Sequence, residues 1–339
     1  MTEQRPKRLG QRLLGILAWT ILLLWALWSV LAILLTGGRG SEIGWIRSAL
    51  AALFVAGILA ALIRLPPRAA LGTVAAGCAV TLLWWLMNRP SNDREWSPDQ
   101  RRLAWAEIDG PLVTVHDIRN FRYRSASDWD EDWYDAVFDT REIEGIDFIL
   151  APFSTFKRGA HAMVSFRFAG ERFLAVSVEV RKEVGEGFGL LRGMFRQFEV
   201  MYVVGDERDL IQLRSNYRGE QVYVHPGTAP PEKIADLFLD MMARVNELNE
   251  RPEFYHTLLN NCTTNLIGHW QHAHHRKMPR DSRRVLNGYV DELAFDLGLI
   301  DTDVGFEETR RRNLINDRAL EAAGREDFSV RIRQRSNYE

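Results

Sequence analysis

Cysteine is almost absent from this sequence, and neither sign of charge predominates. Only Cys78 and Cys262 occur in 339 residues, and Cys78 falls inside a long apolar run. A disulfide framework of the kind that holds small exported domains together is therefore not expected. Lysine and arginine together number 43, against 45 aspartates and glutamates, so the composition predicts no nucleic-acid partner. No cofactor is expected either.

A cleavable signal peptide, the alternative for the first apolar run, is not expected. The first apolar run, residues 13–35, carries no charge, is too long for a signal peptide and has no clear small-residue cleavage site after it. Two further runs follow, at about 45–63 and 69–87. A helix rises ~1.5 Å per residue, so each run covers, or nearly covers, the ~30 Å hydrocarbon core of a bilayer. Residues 1–88 are therefore predicted to form a membrane region with three transmembrane helices.

Basic residues predict the orientation of these helices. They are concentrated before the first run and between the second and third, whereas the stretch between the first and second has only Arg39 and, at its edge, Arg47. The residues on the basic side are Arg5, Lys7, Arg8, Arg12, Arg64 and Arg68. Loops rich in positive charge stay in the cytoplasm. The amino terminus is thus predicted to be cytoplasmic, and the chain after residue 88 periplasmic, in the inner (cytoplasmic) membrane of a bacterium.

The remaining chain is predicted to be an α+β domain with an antiparallel sheet packed on helices. Residues 89–100 are polar, contain two prolines and indicate a linker. Residues 101–305 form the domain, and the charged residues 306–339 are predicted to be a surface helix followed by a loose tail. An apolar stripe predicts an amphipathic helix over residues 231–249. Strands are predicted at 112–123, 160–168, 173–181, 198–204, 210–214 and 221–224.

The most informative stretch is residues 255–270, Y-H-T-L-L-N-N-C-T-T-N-L-I-G-H-W, with Cys262 at its centre. Asn260 and Asn261 are strong helix N-cap residues, and apolar residues recur at helical spacing after the cysteine. Cys262 is thus predicted to lie in the first turn of a helix, where the positive end of the dipole lowers the pKa of a thiol and makes it a better nucleophile. The alternative is a small buried apolar cysteine. An unpaired thiol in an exported domain favours the functional interpretation.

A cysteine nucleophile needs a base, and His161 is the best placed of the eight histidines. It opens an alternating strand, on the less apolar face, and a second alternating strand follows after residues 169–171. A three-residue loop pairs Phe168 with Arg172, which puts Glu179 opposite His161 on the same face, whereas a two-residue loop would separate them. Glu179 is therefore the predicted partner that orients the imidazole. The alternative for His161 is a half-exposed strand histidine.

No metal site is predicted. The acidic residues 127–135 lack the glycine and the later glutamate of a calcium-binding EF-hand loop. A histidine cluster at the end of the cysteine helix has no acid or cysteine ligand at matching spacing, so a solvated helix end is preferred. Its members are His269, His272, His274 and His275. Residues 185–198 mix apolar side chains with Arg192 and Arg196, and they either cover the sheet or touch lipid with the arginines toward phosphates.

These patterns resemble a known group of thiol enzymes. A histidine that opens a strand, a second strand and a later N-C-T-x-N helix are similar to a circularly permuted papain-like (NlpC/P60-like) enzyme. Within that group, H-A-M-V-S-F-R-F, V-S-V-E-V-R, Y-V-V-G-D-E-R-D-L and Y-H-T-L-L-N-N-C-T-T-N resemble the Lnb-type periplasmic domain, a family associated with bacterial lipoprotein N-acyltransferases. The resemblance spans roughly residues 96–299. The three predicted spans precede the domain here, whereas the membrane part follows it in the family member with the activity.

The resemblance implies acyl transfer through a thioester. Cys262 would attack an ester of a membrane phospholipid, His161 would take the thiol proton, and Glu179 would hold the imidazole. The backbone N–H of Cys262, helped by Asn261 or Tyr255, would stabilise the oxyanion. The acceptor would be the amino-terminal amine of a bacterial lipoprotein. The alternatives are an acyl hydrolase, a peptidoglycan amidase or peptidase with the same dyad, and a non-catalytic membrane-anchored binding module.

Overall fold

The computed structural model describes residues 4–37, 41–153, 156, 158–301 and 303–334. The chain divides into two units. The first takes the chain up to Ser97 together with Lys182–Glu199 and Phe254–Thr257, and the second takes the remaining residues from Pro98 onward. The first unit thus joins the apolar amino-terminal helices to two segments that return from the later chain. The second unit holds the α+β domain.

The first unit begins with three long apolar helices, α1 Gln4–Leu35, α2 Ser41–Arg64 and α3 Pro67–Met87. Each contains a segment long and apolar enough to cross a membrane, at Arg12–Leu35, Gly44–Arg64 and Pro67–Met87. These segments agree with the predicted runs to within a few residues at each end. Many of their leucine and isoleucine side chains point outward, as in helices that lie in lipid.

The returning segment Lys182–Glu199 packs against the carboxyl end of α3 within the first unit. Arg196 donates from Nη1 to three carbonyl oxygens there, which helices leave without partners at their ends. The acceptors are Trp85 (3.1 Å), Leu86 (3.4 Å) and Asn88 (3.2 Å). Arg196 therefore caps the third apolar helix, and the prediction that it turns toward phosphates is not met. The exposed apolar residues of the segment are Phe188, Leu190 and Leu191.

Residues 89–97, predicted as a linker, pack within the first unit. Trp96 is buried, and Arg94 pairs with Glu183 at 2.9 Å and with Glu199 at 2.8 Å. The polar composition of this stretch therefore reflects ion pairs inside the unit. It does not reflect a chain surrounded by solvent.

A mixed sheet forms the centre of the second unit. The strands are β1 Trp105–Asp109, β2 Leu112–Arg119, β3 Arg122–Ser125, β4 Asp128–Asp130, β5 Trp133–Asp139, β6 Ile143–Pro152, β7 Ala160–Phe168, β8 Arg172–Arg181, β9 Glu199–Gly205 and β10 Tyr223–Pro226. Eight of them pair in the order β1-β2-β9-β8-β7-β6-β10 with β5 on β2, and β3 pairs with β4 separately. The β6–β7 and β7–β8 pairs are antiparallel, whereas β2 and β9 are parallel. The predicted α+β class is confirmed, with a mixed sheet.

Helices cover both faces of β7 and β8. They are α4 Glu207–Gln212, α5 Pro231–Glu250, α6 Cys262–His274, α7 Val290–Asp296, α8 Phe306–Asn313, α9 Asn316–Glu321 and α10 Phe328–Arg331. On one face, the ring of Phe166 lies 5.0 Å from that of Phe238 on α5. On the other, Met163 packs with Leu210 of α4 and Phe328 of α10. β7 is therefore buried on both faces, although its alternation predicted a half-buried strand.

The strand predicted over residues 210–214 is wrong. This stretch belongs to α4 and to a π-helix, Leu213–Tyr217. Asp206 starts α4 because its side chain accepts a hydrogen bond from the backbone N–H of Arg208. A short apolar run does not by itself distinguish a buried strand from a buried helix.

The carboxyl-terminal segment also differs from its prediction. The predicted surface helix is α8, but the residues after it, up to 334, form α9 and α10 and do not form a loose tail. Residues 335–339 of the predicted tail lie outside the described residues. The few apolar residues of 306–334 follow helical spacing and are fully buried against the sheet. These are Ile315, Ala319, Ala322, Phe328 and Ile332. Arg333 closes the segment by pairing with Asp147 at 2.8 Å and with Glu207. The domain therefore extends well beyond residue 305.

Candidate active site

Cys262 is the first residue of α6. Asn261 is the N-cap, and its side chain accepts from the backbone N–H of Thr264 at 3.0 Å. In return, the Thr264 hydroxyl accepts from the Asn261 backbone N–H at 2.8 Å, which completes a capping box. The predicted placement of Cys262 in the first helical turn is confirmed. The cap fixes the direction of the helix end at which the sulfur lies.

The sulfur of Cys262 lies against the start of β7, and the residue is only 6 % exposed. Its polar neighbours are the Ala160 carbonyl oxygen at 4.0 Å, the Thr263 hydroxyl at 3.9 Å and Asn287 Nδ2 at 4.0 Å. Burial raises the pKa of the Cys262 thiol, although hydrogen bonds from the Ala162 N–H and from Thr263 act in the opposite direction. The predicted lowering of this pKa by the helix end is therefore wrong, and the resting group is a neutral thiol.

Asn287 ties the cysteine helix to β7 and was not found by sequence reasoning. Its amide is paired twice with the backbone of Ala160, accepting from N–H at 2.9 Å and donating to C=O at 2.8 Å. The same Nδ2 donates to the Thr263 hydroxyl at 3.0 Å. One side chain thus holds the first turn of α6 against the first residue of the histidine strand. An asparagine in a loop near residue 287 carries no local signal of this role.

His161 lies next to Ser177 and Glu179 on one face of β7 and β8. Phe168 pairs with Arg172 and Met163 with Ser177, so the register predicted from a three-residue loop is confirmed. His161 Nε2 is 2.7 Å from the Ser177 hydroxyl and 3.6 Å from Glu179 Oε1. Ser177, which sequence reasoning missed, therefore lies between the imidazole and the carboxylate.

Hydrogen-bond chemistry fixes the tautomer of His161. Ser177 Oγ is 2.9 Å from Glu179 Oε1, and an ionised carboxylate only accepts, so the single hydroxyl proton points to Glu179. The serine oxygen must then accept from Nε2–H of His161. This leaves the lone pair of Nδ1 able to take a proton, which is the property required of a general base.

Arg214, in the π-helix, controls the charges around the imidazole. It is buried and donates to Glu179 at 3.0 Å and to Glu220 at 3.2 Å. Burial alone would raise the pKa of Glu179, but His161 and Arg214 hold it below its usual range. Burial lowers the pKa of His161 to about 3, with Arg214 acting in the same direction and Glu179 against it. At neutral pH the site therefore combines a neutral imidazole with an ionised Glu179.

The cysteine lies beside the backbone of the strand that carries His161. The sulfur contacts the backbone of Ala160 and Ala162, the two residues on either side of His161. In the described part of the chain no hydrogen bond joins the two side chains. Catalytic hydrogen bonds are often long or absent until substrate is bound, so this arrangement is compatible with a thiol–imidazole pair.

The two other predicted site residues have structural partners. The side-chain oxygen of Asn261 is engaged in the helix cap. Tyr255 belongs to the first unit, where the centre of its ring lies 6.3 Å from that of Phe188. The ring also packs close to Gly193, because a Cβ atom at that glycine would lie 3.1 Å from it. Their part in stabilising an oxyanion stays a prediction.

The histidine cluster is a solvated helix end at His272 and His275, which are exposed as predicted, whereas His269 is buried. His269 Nδ1 is 2.6 Å from Asp240, and its Nε2 is 2.7 Å from the Tyr202 hydroxyl. His272 also reaches Asp240, at 2.5 Å. These bonds attach α6 to α5 and β9. Over the residues that the structure describes, no group of three or more candidate ligands is arranged to hold a metal ion.

An apolar cavity of about 320 Å³ lies beside the cysteine helix, within the second unit. It is bounded by the sheet on one side and by α5, α6 and α7 on the others. Thr263 and Ala162, both in contact with the sulfur of Cys262, are among its lining residues. Most of the other side chains in the lining are aliphatic or aromatic, including Leu237, Leu266, Trp270, Leu293 and Leu297.

Comparison with known proteins identifies the domain. Residues 129–288 match the model of a family described as the Lnb N-terminal periplasmic domain. The matched stretch includes His161, Ser177, Glu179, Cys262 and Asn287. No curated protein matches the chain, and no solved structure matches it. This match supports a periplasmic Lnb-type domain, and the three candidate spans support a membrane protein with a periplasmic domain.

Proposed function

We propose that this protein is a membrane-anchored cysteine acyltransferase. It transfers an acyl chain from a membrane phospholipid, through a thioester on Cys262, to the amino-terminal amine of a bacterial lipoprotein. Three helices cross the inner membrane and leave the catalytic domain in the periplasm. The domain has the permuted papain-like (NlpC/P60-like) arrangement of helix cysteine and strand histidine.

One observation carries the proposal. The sulfur of Cys262, at a capped helix N-terminus, contacts both backbone neighbours of His161, while Ser177 and Glu179 hold the far nitrogen of that imidazole. This combination of nucleophile, base and orienting group is what thiol acyl transfer requires. A non-catalytic module has no use for a buried, oriented imidazole beside a buried thiol.

The first step forms the thioester. The Cys262 thiol gives its proton to Nδ1 of His161 as the sulfur attacks the carbonyl carbon of the ester. Because thiol and imidazole are both neutral at rest, proton transfer accompanies the attack and does not precede it. The carbon–oxygen bond of the ester then breaks, and the departing oxygen takes the proton from the imidazolium to give a lysolipid.

The second step releases the chain. The acceptor amine attacks the thioester carbonyl, loses a proton to Nδ1 of His161, and the carbon–sulfur bond breaks. Sulfur takes the proton back as the amide is completed. In both steps the backbone N–H of Cys262, at the positive end of α6, stabilises the negative charge on the carbonyl oxygen. Glu179 stabilises the imidazolium through Ser177.

Two observations favour a lipid substrate over a peptidoglycan stem. The chain combines an Lnb-type domain with three apolar helices, and the cavity beside the cysteine is lined mainly by apolar side chains. A peptide stem would leave its amide groups without hydrogen-bond partners in such a lining. A peptidoglycan amidase would use an open, polar groove.

An intact-mass measurement tests the proposal. Full-length protein purified from membranes should carry an acyl adduct on Cys262. Cys262→Ser and Cys262→Ala should lose the adduct and lower lipoprotein acylation by several powers of ten, because a hydroxyl is not activated as a thiol is. His161→Ala should lose nearly as much.

Cys78→Ser is the matched control, because Cys78 is buried among the apolar helices and takes no part in the chemistry. It should retain both adduct and activity. The proposal is wrong if Cys262→Ser, present at normal amounts and normally folded, acylates lipoprotein at the wild-type rate.

A further inference from the structure

We infer that the apolar cavity beside α6 holds the single acyl chain that is transferred. This inference rests on the proposed function and adds the place and the chemical class of the ligand. The cavity lies entirely within the second unit, between the sheet face that carries Ala162 and Val164 and the helices α5, α6 and α7.

The position of the cavity connects it to the nucleophile. Two residues belong both to its lining and to the surroundings of the sulfur. The Thr263 hydroxyl is 3.9 Å from the sulfur of Cys262, and the Ala162 N–H is hydrogen-bonded to it. A carbonyl carbon bonded to this sulfur would therefore lie at one end of the cavity, with its chain directed along α6.

The lining fits a ligand that is apolar along its whole length. Buried polar groups need partners, and these walls offer few. The polar side chains of the lining already have partners within the protein. The Lys233 ammonium group donates to the Ala273 carbonyl oxygen at 2.9 Å and pairs with Asp236 at 3.1 Å. Thr228 donates to the Gly298 carbonyl oxygen at 2.7 Å, and His274 Nδ1 lies 2.9 Å from the Trp270 carbonyl oxygen. A peptide or a sugar would leave its hydrogen-bonding groups unpaired, whereas a hydrocarbon chain leaves none.

The volume fits one chain and not two. A cavity of about 320 Å³ is roughly twice the ~150 Å³ apolar cavity that binds one benzene ring of six carbons. It therefore takes about a dozen carbons. A phospholipid would place one acyl chain here, and the rest of the lipid would remain outside the cavity.

Photolabelling tests the site without requiring turnover. Full-length Cys262→Ala protein in detergent is irradiated with dodecanoic acid that carries a diazirine on its last carbon, and labelled peptides are identified by mass spectrometry. We expect label in α7 and in the chain around Ala229 and Ile234, and competition by plain dodecanoic acid. Label confined to residues 12–87 would overturn the inference.

A cavity-filling variant tests the same site in catalysis. Ala294 of α7 lines the cavity, and Ala294→Phe should occupy part of it. Each buried methylene is worth about fourfold in binding, so exclusion of two or more should lower the preference for a dodecanoyl over a butyryl ester by more than tenfold. Ala243→Phe, on the exposed side of α5, is the matched control and should leave that preference unchanged.

The outcomes separate the two proposals. Label in the cavity without any adduct on Cys262 in the wild-type protein would leave the lipid site intact and overturn the proposed function. The lipid site would be overturned, and the function left intact, by two results together. Cys262 forms the adduct with the same dependence on chain length in wild type and in Ala294→Phe, and the photolabel lies outside the cavity.

Discussion

Ser177→Ala removes the hydroxyl that joins His161 to Glu179. Its oxygen lies 2.7 Å from Nε2 and 2.9 Å from Glu179 Oε1. Glu179 Oε1, the next group in the relay, lies 3.6 Å from Nε2, beyond ordinary hydrogen-bond distance. The imidazole is then less well oriented, and its positive charge in the transition state is less well stabilised.

The expected loss follows from the kind of bond removed. A hydrogen bond to a charged group contributes about 1.5–3 kcal/mol, which corresponds to a fall of about 10- to 100-fold in kcat/KM. If the His161 ring moves slightly toward Glu179 and bonds to it directly, the fall in kcat/KM should be close to tenfold. Most of the loss should appear in kcat, because the imidazolium exists only in the transition state and the intermediates.

The assay is thioester formation on Cys262 from a dodecanoyl ester, followed by intact mass, with thermal unfolding measured in parallel. Ser177→Thr keeps a hydroxyl and should recover part of the rate. Ser165→Ala removes a buried hydroxyl from the same face of β7 and should retain the wild-type rate. If folded Ser177→Ala forms the thioester as fast as the wild type, the tautomer assignment and the role of Ser177 are wrong.

Four further predictions follow. Arg214→Met should raise the pKa of His161, so the acidic limb of the pH profile of kcat/KM should move to higher pH. If this limb does not move, the charges assigned to the site are wrong. His161 takes up a proton near pH 6.5 in the unfolded chain and only near pH 3 in the folded chain. The free energy of unfolding of the wild type should therefore fall as the pH drops from 6.5 to 3, and it should fall less in Arg214→Met. Asn287→Ala leaves the backbone of Ala160 without its partner and should lower kcat about tenfold with little change in KM; an unchanged kcat would remove Asn287 from the site. A reporter active only in the cytoplasm, fused to the carboxyl terminus, should be silent, and strong activity would reverse the predicted topology.

The electrostatic surroundings of the thiol could not be predicted from residues 255–270 alone. The local sequence indicates a helix end that favours a thiolate, and the helix end is present. Burial nevertheless raises the pKa of Cys262, because packing against Ala160 and Ala162 removes the sulfur from water. Desolvation depends on what covers a group, and residues distant in sequence supply that cover.

The sequence by itself determined the features that depend on local pattern. Three uninterrupted apolar runs give the long helices, and Asn261 before Cys262 gives the cap, because each acts within a few residues of chain. Alternation with a three-residue loop predicted His161 and Glu179 on one face, since a strand has a period of two, and the observed register decided against the two-residue loop.

Only the tertiary structure decided which residues complete the site. Ser177 joins His161 to Glu179, Arg214 supplies the buried charge, and Asn287 attaches α6 to β7. Each acts across elements that are far apart in the chain, so no local period marks it. The helices α9 and α10 were missed for the same reason: the few apolar residues around them become core only because the second face of the sheet needs to be covered. Packing between distant segments thus determines the charge state and the position of the groups that the sequence supplies.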